Sequence, residues 1–262
     1  MGKRERYAPG TFCWVELATT DPAGATTFYG DLFGWQAEDV PIPEGGTYTM
    51  LRLDGDDVAA LYAQDADQRE QGVPPHWFHY VSVEDADAPA ARARELGGTV
   101  VADAFDVGDS GRMAVVQDPT GAMLGLWQPG VHIGARRVND PGCLTMNELQ
   151  TSDPETAIAF YGGLFGWEAR RIEDNGRLVY VSITNAGRLN GGIMPMADGS
   201  AGVPPHWLPY FTVPSTDDAV VRVRDLGGDV LAGPLDVPTG RIAVVRDPQG
   251  AAFAFFAGET DN

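Results

Sequence analysis

The sequence predicts an α+β fold: four βαβββ modules arranged as two tandem domains. Three observations carry this. First, the chain repeats itself over its whole length. ELATTDPAGATTFYGDLFGW begins at Glu16 and returns as ELQTSDPETAIAFYGGLFGW at Glu148. VPPHW recurs at Val73 and Val203, and GRMAVVQDPTG at Gly111 returns as GRIAVVRDPQG at Gly240. The spacing between copies shrinks only slightly from the first of these motifs to the last, which puts the deletions in loops and gives both halves one fold. Second, a strand-helix-strands pattern occurs twice inside each half. Third, 44% hydrophobic and 10% aromatic residues in 262 supply packed cores for two domains.

The elements follow in order. TFCWVELATT alternates as a strand does. DPAGATTFYGDLFGW then has Asp21 as an N-cap, Pro22 at the first helical position and Gly34 near the stop, so a helix is written between them. YTMLRLDG and VAALYAQ read as strands. After the loop DADQREQGVPP, HWFHYVSV is a strand, DADAPAARARELGG a helix ending in Gly, and TVVADAFDV, RMAVVQD and AMLGLWQ are strands. This gives four units of roughly 60 residues each. The domains are expected at 10–130 and 143–258, joined by a linker at 131–142 within the Pro- and Gly-bounded stretch QPGVHIGARRVNDPG.

Lys and Arg total 18 against 37 Asp and Glu, a net charge of -19. Such a surface repels phosphate backbones and anionic lipid, so neither nucleic acid nor membrane is expected as a partner. The basic start MGKRERYAPG has no apolar segment behind it, and no run of about 18 apolar residues occurs, so a cytoplasmic location is expected. Cys13 and Cys143 are the only cysteines and do not occupy equivalent repeat positions. They exclude a disulfide framework and a thiolate metal site, and each reads as a small buried apolar residue.

TDPxxAxxFYxxLFGW at Thr20 to Trp35, its counterpart ending at Trp167, LGG at Leu96 and Leu226, and DPxG at Asp118 and Asp247 together span almost the whole chain. On these motifs the sequence resembles the vicinal oxygen chelate (VOC) superfamily, which includes glyoxalase I, extradiol dioxygenases, fosfomycin-modifying enzymes and bleomycin-resistance proteins. It looks most like the tandem-repeat glyoxalase-like proteins. The resemblance implies two glyoxalase-like domains, each an open cup-shaped sheet with its chemistry inside the cup. It also implies a divalent metal there, held by side chains on the first strand of each module and by a Glu on a closing strand. Carried onto this chain, those positions hold Trp14 and Phe78 with Gly125 in the first half, and Met146 and Leu208 with Ala254 in the second. None is a hard donor, and a divalent cation needs several converging O, N or S atoms. No metal and no cofactor are expected.

Residues two apart on a strand share a face, so His76, Phe78, Tyr80 and Ser82 line one side while His79, whose counterpart is Pro209, points toward the helices as a structural histidine. His76 and His206 each follow a Pro-Pro pair at a strand entrance. Both readings stand for them, anchoring the rim or contacting a ligand. Glu16 and Glu148 lie two residues beyond the first-strand positions, among Trp14, Phe78 and Tyr80 or among Met146, Leu208 and Tyr210. A carboxylate in such surroundings needs a partner or a raised pKa. It is either a general base for a carbon acid or a phenol, or a structural group bonded to a backbone amide or paired with Arg112 or Arg241.

The catalytic candidates are therefore Glu16 and Glu148. The ligand-binding candidates are Trp14, His76, Phe78, Tyr80, Trp127, Met146, His206, Leu208 and Tyr210. This apolar, aromatic lining suits a planar aromatic or polyketide-like compound better than a sugar or a phosphate. The expected function is binding of such a molecule in a metal-free cup, with Glu-based acid/base chemistry of lyase, isomerase or ring-modifying type as its enzymatic form. The alternative is a metal-dependent lyase, dioxygenase or ring hydroxylase whose ligands have moved to His76, Glu16, His206 and Glu148. The first half, with more aromatic strand faces, is the expected ligand site. Because the repeat places the usual pseudo-two-fold pair in one chain, a monomer or a dimer is expected. FYxxLFGW reads as helix packing and DPxG as a tight turn.

Overall fold

A computed structural model of the chain describes residues 2–42, 45–196 and 202–260. The first module comprises β1 (Phe12–Thr19), α1 (Pro22–Phe33), β2 (Gln36–Pro41), β3 (Thr47–Leu53) and β4 (Asp56–Ala63). A short helix, α2 (Ala66–Glu70), leads to the second: β5 (His76–Ser82), α3 (Asp87–Glu95), β6 (Thr99–Val107), β7 (Gly111–Gln117) and β8 (Met123–Pro129). The third is β9 (Leu144–Thr151), α4 (Pro154–Phe165), β10 (Glu168–Asp174), β11 (Arg177–Asn185) and β12 (Arg188–Pro195). The fourth is β13 (His206–Thr212), α5 (Thr216–Asp225), β14 (Asp229–Val237), β15 (Gly240–Arg246) and β16 (Ala252–Gly258). The expected α+β class and the four βαβββ modules are both present.

The module helices start and stop where the sequence says. The Asp21 side chain accepts the amide of Gly24 at the head of α1, and Gly34, with φ at 77°, takes the left-handed turn that ends it. Asp153 and Gly166 do the same for α4. Two strands are absent from the sequence pattern. β2 and β10 are edge strands exposed along almost their whole length, so no apolar alternation marks them.

Each half forms one eight-stranded sheet, in the order β2-β3-β4-β1-β5-β8-β7-β6 and its repeat equivalent β10-β11-β12-β9-β13-β16-β15-β14. The two modules of a half meet at the antiparallel pair β1/β5 or β9/β13, flanked on each side by parallel pairs. The sheet of the first half is a half-barrel cup, with side chains at alternate positions on its two faces.

The cores do not follow the repeat. One buried cluster joins the first module to the fourth: Leu17, Phe28, Tyr29 and Leu61 pack with Phe211, Val223, Phe253 and Phe255. The other joins the second to the third, with Val81, Leu124 and Leu126 against Leu149, Phe160 and Tyr161. The helices thus lie between the two sheets, and the cup faces point away from each other. FYxxLFGW and DPxG are the fasteners of this arrangement. Trp77 Nε1 donates to the Tyr29 hydroxyl at 3.3 Å, which donates to Asp247 Oδ2 in the other half at 3.0 Å. Trp207 and Tyr161 repeat the first of these bonds at 3.1 Å, but the second is not repeated: the Tyr161 hydroxyl lies near Asp118, whose Oδ2 accepts no hydrogen bond among the described residues. Trp35 donates to the Gly142 carbonyl and Trp167 to that of Gly10, at 2.8 and 2.7 Å. Both cysteines are free and buried. Among the described residues no helix is long and apolar enough to cross a membrane.

Candidate functional site

The register of the central strands sets what each cup contains. Trp14 lies opposite Tyr80 and Glu16 opposite Phe78, while Glu16 stands beside Ala60 on the other flank. Tyr80 neighbours Gly125, and Met113 neighbours Trp127. Cross-strand neighbours share a face, so these side chains form one concave surface. In the second half Met146 faces Tyr210 and Glu148 faces Leu208, with Ala254 beside Tyr210. All nine ligand candidates and both glutamates therefore sit on cup faces. Trp77, Trp207, Phe253 and Phe255 are on the helix side, in the shared cores.

Each glutamate is buried at its cup floor and held by phenols. Glu16 accepts from the Tyr48 hydroxyl at 2.6 Å through Oε2 and from the Tyr80 hydroxyl at 2.7 Å through Oε1. Trp14 Nε1 in turn donates to Tyr48 at 3.0 Å. Glu148 accepts through Oε1 from Tyr210 at 3.0 Å and from Gln150. The Tyr180 hydroxyl stands beside the Glu148 carboxyl and donates to Met146 Sδ at 3.7 Å. Burial raises both carboxyls, against the pull of these hydrogen bonds, and carries Glu148 to about 7. Burial and the adjacent carboxylates hold Tyr48, Tyr80, Tyr180 and Tyr210 well above the usual phenol range, so each stays a donor.

Arg112 and Arg241 are not the partners of these glutamates. Arg112 bonds Asp87 and Asp106, and Arg241 bonds Asp217 and Asp236, all on the helix side or the sheet edge. Met113 and Ile242, one residue on, face the cups, and alternation sends the arginines to the opposite face. Of the phenols around the glutamates, Tyr80 and Tyr210 were among the candidates, and Tyr48 and Tyr180 were not. The latter come from β3 and β11, two strands away in the sheet, and their equivalent places in the two copies of the repeat were the signal available.

His76 and His206 are anchored alike, each with Nδ1 2.9 Å from the carbonyl of the proline two residues before it, Pro74 or Pro204. His79 is buried on the helix side with Nδ1 2.7 Å from Asn147 Oδ1 of the other half, and burial lowers it to about 4. His132, to which the sequence assigns no role, lies edge-on to Trp14 with ring centroids 4.6 Å apart, and its carbonyl accepts Trp127 Nε1 at 2.8 Å.

The side chains present do not suit a divalent metal at the superfamily's position. Trp14 and Phe78 bring rings where ligands would stand. At Gly125 a Cβ would lie 2.2 Å from Tyr80 Cδ1, so a tyrosine ring fills the space of the closing-strand carboxylate. The displaced set of His76, Glu16, His206 and Glu148 is divided between two cups on opposite faces of the molecule. Among the described residues no three His, Cys, Asp or Glu side chains are grouped to hold a metal ion.

The cup walls are apolar and partly open. Val40 pairs with Tyr48, Phe105 with Met113, Ile172 with Tyr180 and Leu235 with Ile242, all on the cup faces. These four are between 39% and 46% exposed, high for large apolar side chains, and two belong to each cup.

A family model described as the Glyoxalase/Bleomycin resistance protein/Dioxygenase superfamily matches residues 11–126 and 143–255. "Putative glyoxylase CFP32" of Mycobacterium tuberculosis is 43% identical over 97% of both chains. The "Anthracycline biosynthesis protein DauV" of Streptomyces sp. strain C5 is 36% identical over 95% of this chain and 94% of its own. Among solved structures, the Mn(II)-bound glyoxalase of Novosphingobium aromaticivorans superposes with a TM-score of 0.68 at 15% identity, covering 97% of this chain and 84% of that one.

Proposed function

The chain belongs to the glyoxalase/bleomycin resistance/dioxygenase superfamily, and on that footing we propose that it binds a planar apolar or aromatic molecule in a cup that uses no metal. The observation that carries this is the combination in each cup of half-exposed apolar walls with a single buried carboxyl bonded by phenols. An apolar guest covers the walls, and the carboxyl-phenol group fixes its orientation. A sugar or a phosphate would leave most of its polar groups unpaired on such a lining. A relative named for anthracycline biosynthesis fits a polycyclic aromatic guest. CFP32 and the manganese-bound structural neighbour bring the lyase and metal readings of the family, but the side chains at the metal positions favour the metal-free one.

Glu148 gives the reading an enzymatic form. A carboxyl titrating at about 7 is half ionised at neutral pH, so it can take a proton from an acidic C–H or a phenol of the guest and return it. Glu16 has the same position in the first cup.

The test uses anthraflavic acid, an anthraquinone with a phenol at each end, followed by calorimetry on protein dialysed against a chelator. Saturable micromolar binding, unchanged when zinc, manganese or iron is added back, is the expected result. Binding that disappears on chelation and returns with one metal overturns the metal-free reading. For the acid/base form, deuterium exchange at the acidic carbon of anthrone should be accelerated by the protein and lost in Glu148→Gln with binding kept. Equal exchange in both removes Glu148 from the chemistry.

A further inference from the structure

The first cup is filled by its own chain. The Trp14 indole lies over the floor and donates to Tyr48, which donates to Glu16. The linker lays His132 against Trp14 and binds Trp127 through its carbonyl, and Tyr7 closes onto the Ala135 carbonyl at 2.6 Å. The apolar cluster of this cup accordingly includes Tyr7, Ala135 and Val138, none of which belongs to the sheet.

The second cup has the same carboxyl and phenols without the N-terminal and linker residues that pack into the first. Met146 replaces Trp14, Leu208 replaces Phe78 and Phe256 replaces Trp127, so three large side chains each give way to a smaller one. Its apolar cluster draws, among the described residues, on its own strands alone. Tyr48 is a donor to Glu16 and an acceptor from Trp14. Its equivalent Tyr180 stands beside Glu148 and donates to Met146 Sδ, but among the described residues no group donates to its hydroxyl. A phenolic oxygen has acceptor capacity to spare once its proton is committed. Gly192 leaves the backbone bare beneath that hydroxyl, since a Cβ there would lie 1.9 Å from it.

We propose that the second cup is the binding cup, and that its guest is a planar aromatic with an N–H or O–H donor on its edge. The guest takes the place that the Trp14 indole holds in the first cup, lying between Met146, Leu208 and Phe256 and donating to Tyr180. This rests on the apolar-guest reading above and specifies the cup, the pose and the polar group the guest must carry. The more aromatic half is then the closed one, because its rings are spent on each other. The Trp14–Tyr48–Glu16 chain in the first cup shows the hydrogen bonding that the guest reproduces in the second.

Calorimetric titration tests it with anthraflavic acid and, as a control without donors, anthraquinone. Wild type should take up one equivalent of anthraflavic acid per chain. Met146→Trp installs the residue the first cup already accommodates, and should weaken binding by more than tenfold. Tyr180→Phe should weaken anthraflavic acid about tenfold, the loss expected for one hydrogen bond at a buried site, and leave anthraquinone unchanged. If Met146→Trp does not fold, the Tyr180→Phe pair of titrations decides. Two equivalents in wild type, undiminished binding by folded Met146→Trp, or equal weakening of both probes in Tyr180→Phe would overturn the proposal while leaving the apolar-guest reading intact. No uptake of either probe by wild type overturns both.

Discussion

A carboxyl group taken out of water holds its proton more tightly, and at Glu148 this has a consequence for stability. Its pKa in the folded chain, about 7, lies above the ordinary 4.5, so the folded state binds the proton that the unfolded state has released. Its contribution to stability is therefore complete below pH 4.5 and lost as pH rises through 7. His79 works in the other direction. Lowered from 6.5 to about 4 by burial, it contributes fully above 6.5 and loses that contribution as pH falls toward 4. Between 4.5 and 6.5 the two slopes oppose each other. Glu148→Gln removes only the first, so relative to wild type the variant should gain about 2 to 3 kcal/mol between pH 4.5 and 7, as read by urea denaturation at each pH. A constant difference would mean that Glu148 titrates normally. The glutamates themselves were legible in the sequence, because period-two alternation from Trp14 and Met146 places them in the cups. Of their neighbours, Tyr80 and Tyr210 follow from the same alternation, whereas Tyr48 and Tyr180 do not. Which strand lies two away in a sheet is a matter of topology, and the phase of β7 and β15 that turns Arg112 and Arg241 outward follows from their unbroken pairing with β8 and β16.

At the scale of elements, the strongest sequence motif has its work at the seam between halves. Tyr29 on α1 stands between Trp77 and Asp247, accepting from one and donating to the other, in a site without water access. Tyr29→Phe deletes the hydroxyl and leaves the indole N–H and one carboxylate oxygen unpaired. The expected cost is about 1 to 3 kcal/mol, with Tyr161→Phe costing less at the equivalent seam, where only the bond from Trp207 is lost. Tyr29→Phe and Asp247→Asn share one interaction, so together they should cost less than their sum, whereas Tyr29→Phe and Tyr161→Phe, in separate cores, should add. Chemical denaturation of the single variants and the two doubles distinguishes these outcomes. The elements themselves were readable where local chemistry specifies them: an Asp-Pro start, a Gly stop, alternation on a half-buried strand. β2 and β10 have none of these. They are held by pairing with β3 and β11, and a strand defined only by its neighbour leaves no trace in its own sequence. FYxxLFGW is helix packing, as its sequence indicates. That it packs against the other half could not be read, since the DPxG aspartate that binds Tyr29 lies far along the chain, at Asp247.

For the whole molecule the repeat marks out two domains, yet each core is built from a module of one half and a module of the other. A half taken alone would expose the apolar faces of both its modules. Symmetry offers it one remedy. Modules two and four are repeats, so the contact of module one with module four can be rebuilt as module one against module two of a second copy, and Tyr29 would then meet Asp118 of that copy instead of Asp247. We expect residues 1–130 alone to fold only as a homodimer, with a melting temperature that rises with protein concentration. One contact cannot be rebuilt. Asn147, which receives His79, corresponds to Val15 in the first half, so each copy would bury an unpartnered imidazole near the two-fold axis. The half-chain dimer should therefore be less stable than the intact protein, and His79→Leu, which destabilises the intact chain by removing the bond to Asn147, should stabilise the dimer. Sedimentation equilibrium and melting at several concentrations, with and without the substitution, check this. A folded monomeric half would mean that the cores are not interlocked in the way the two clusters imply, and an intact chain melting in two separate steps would mean the same.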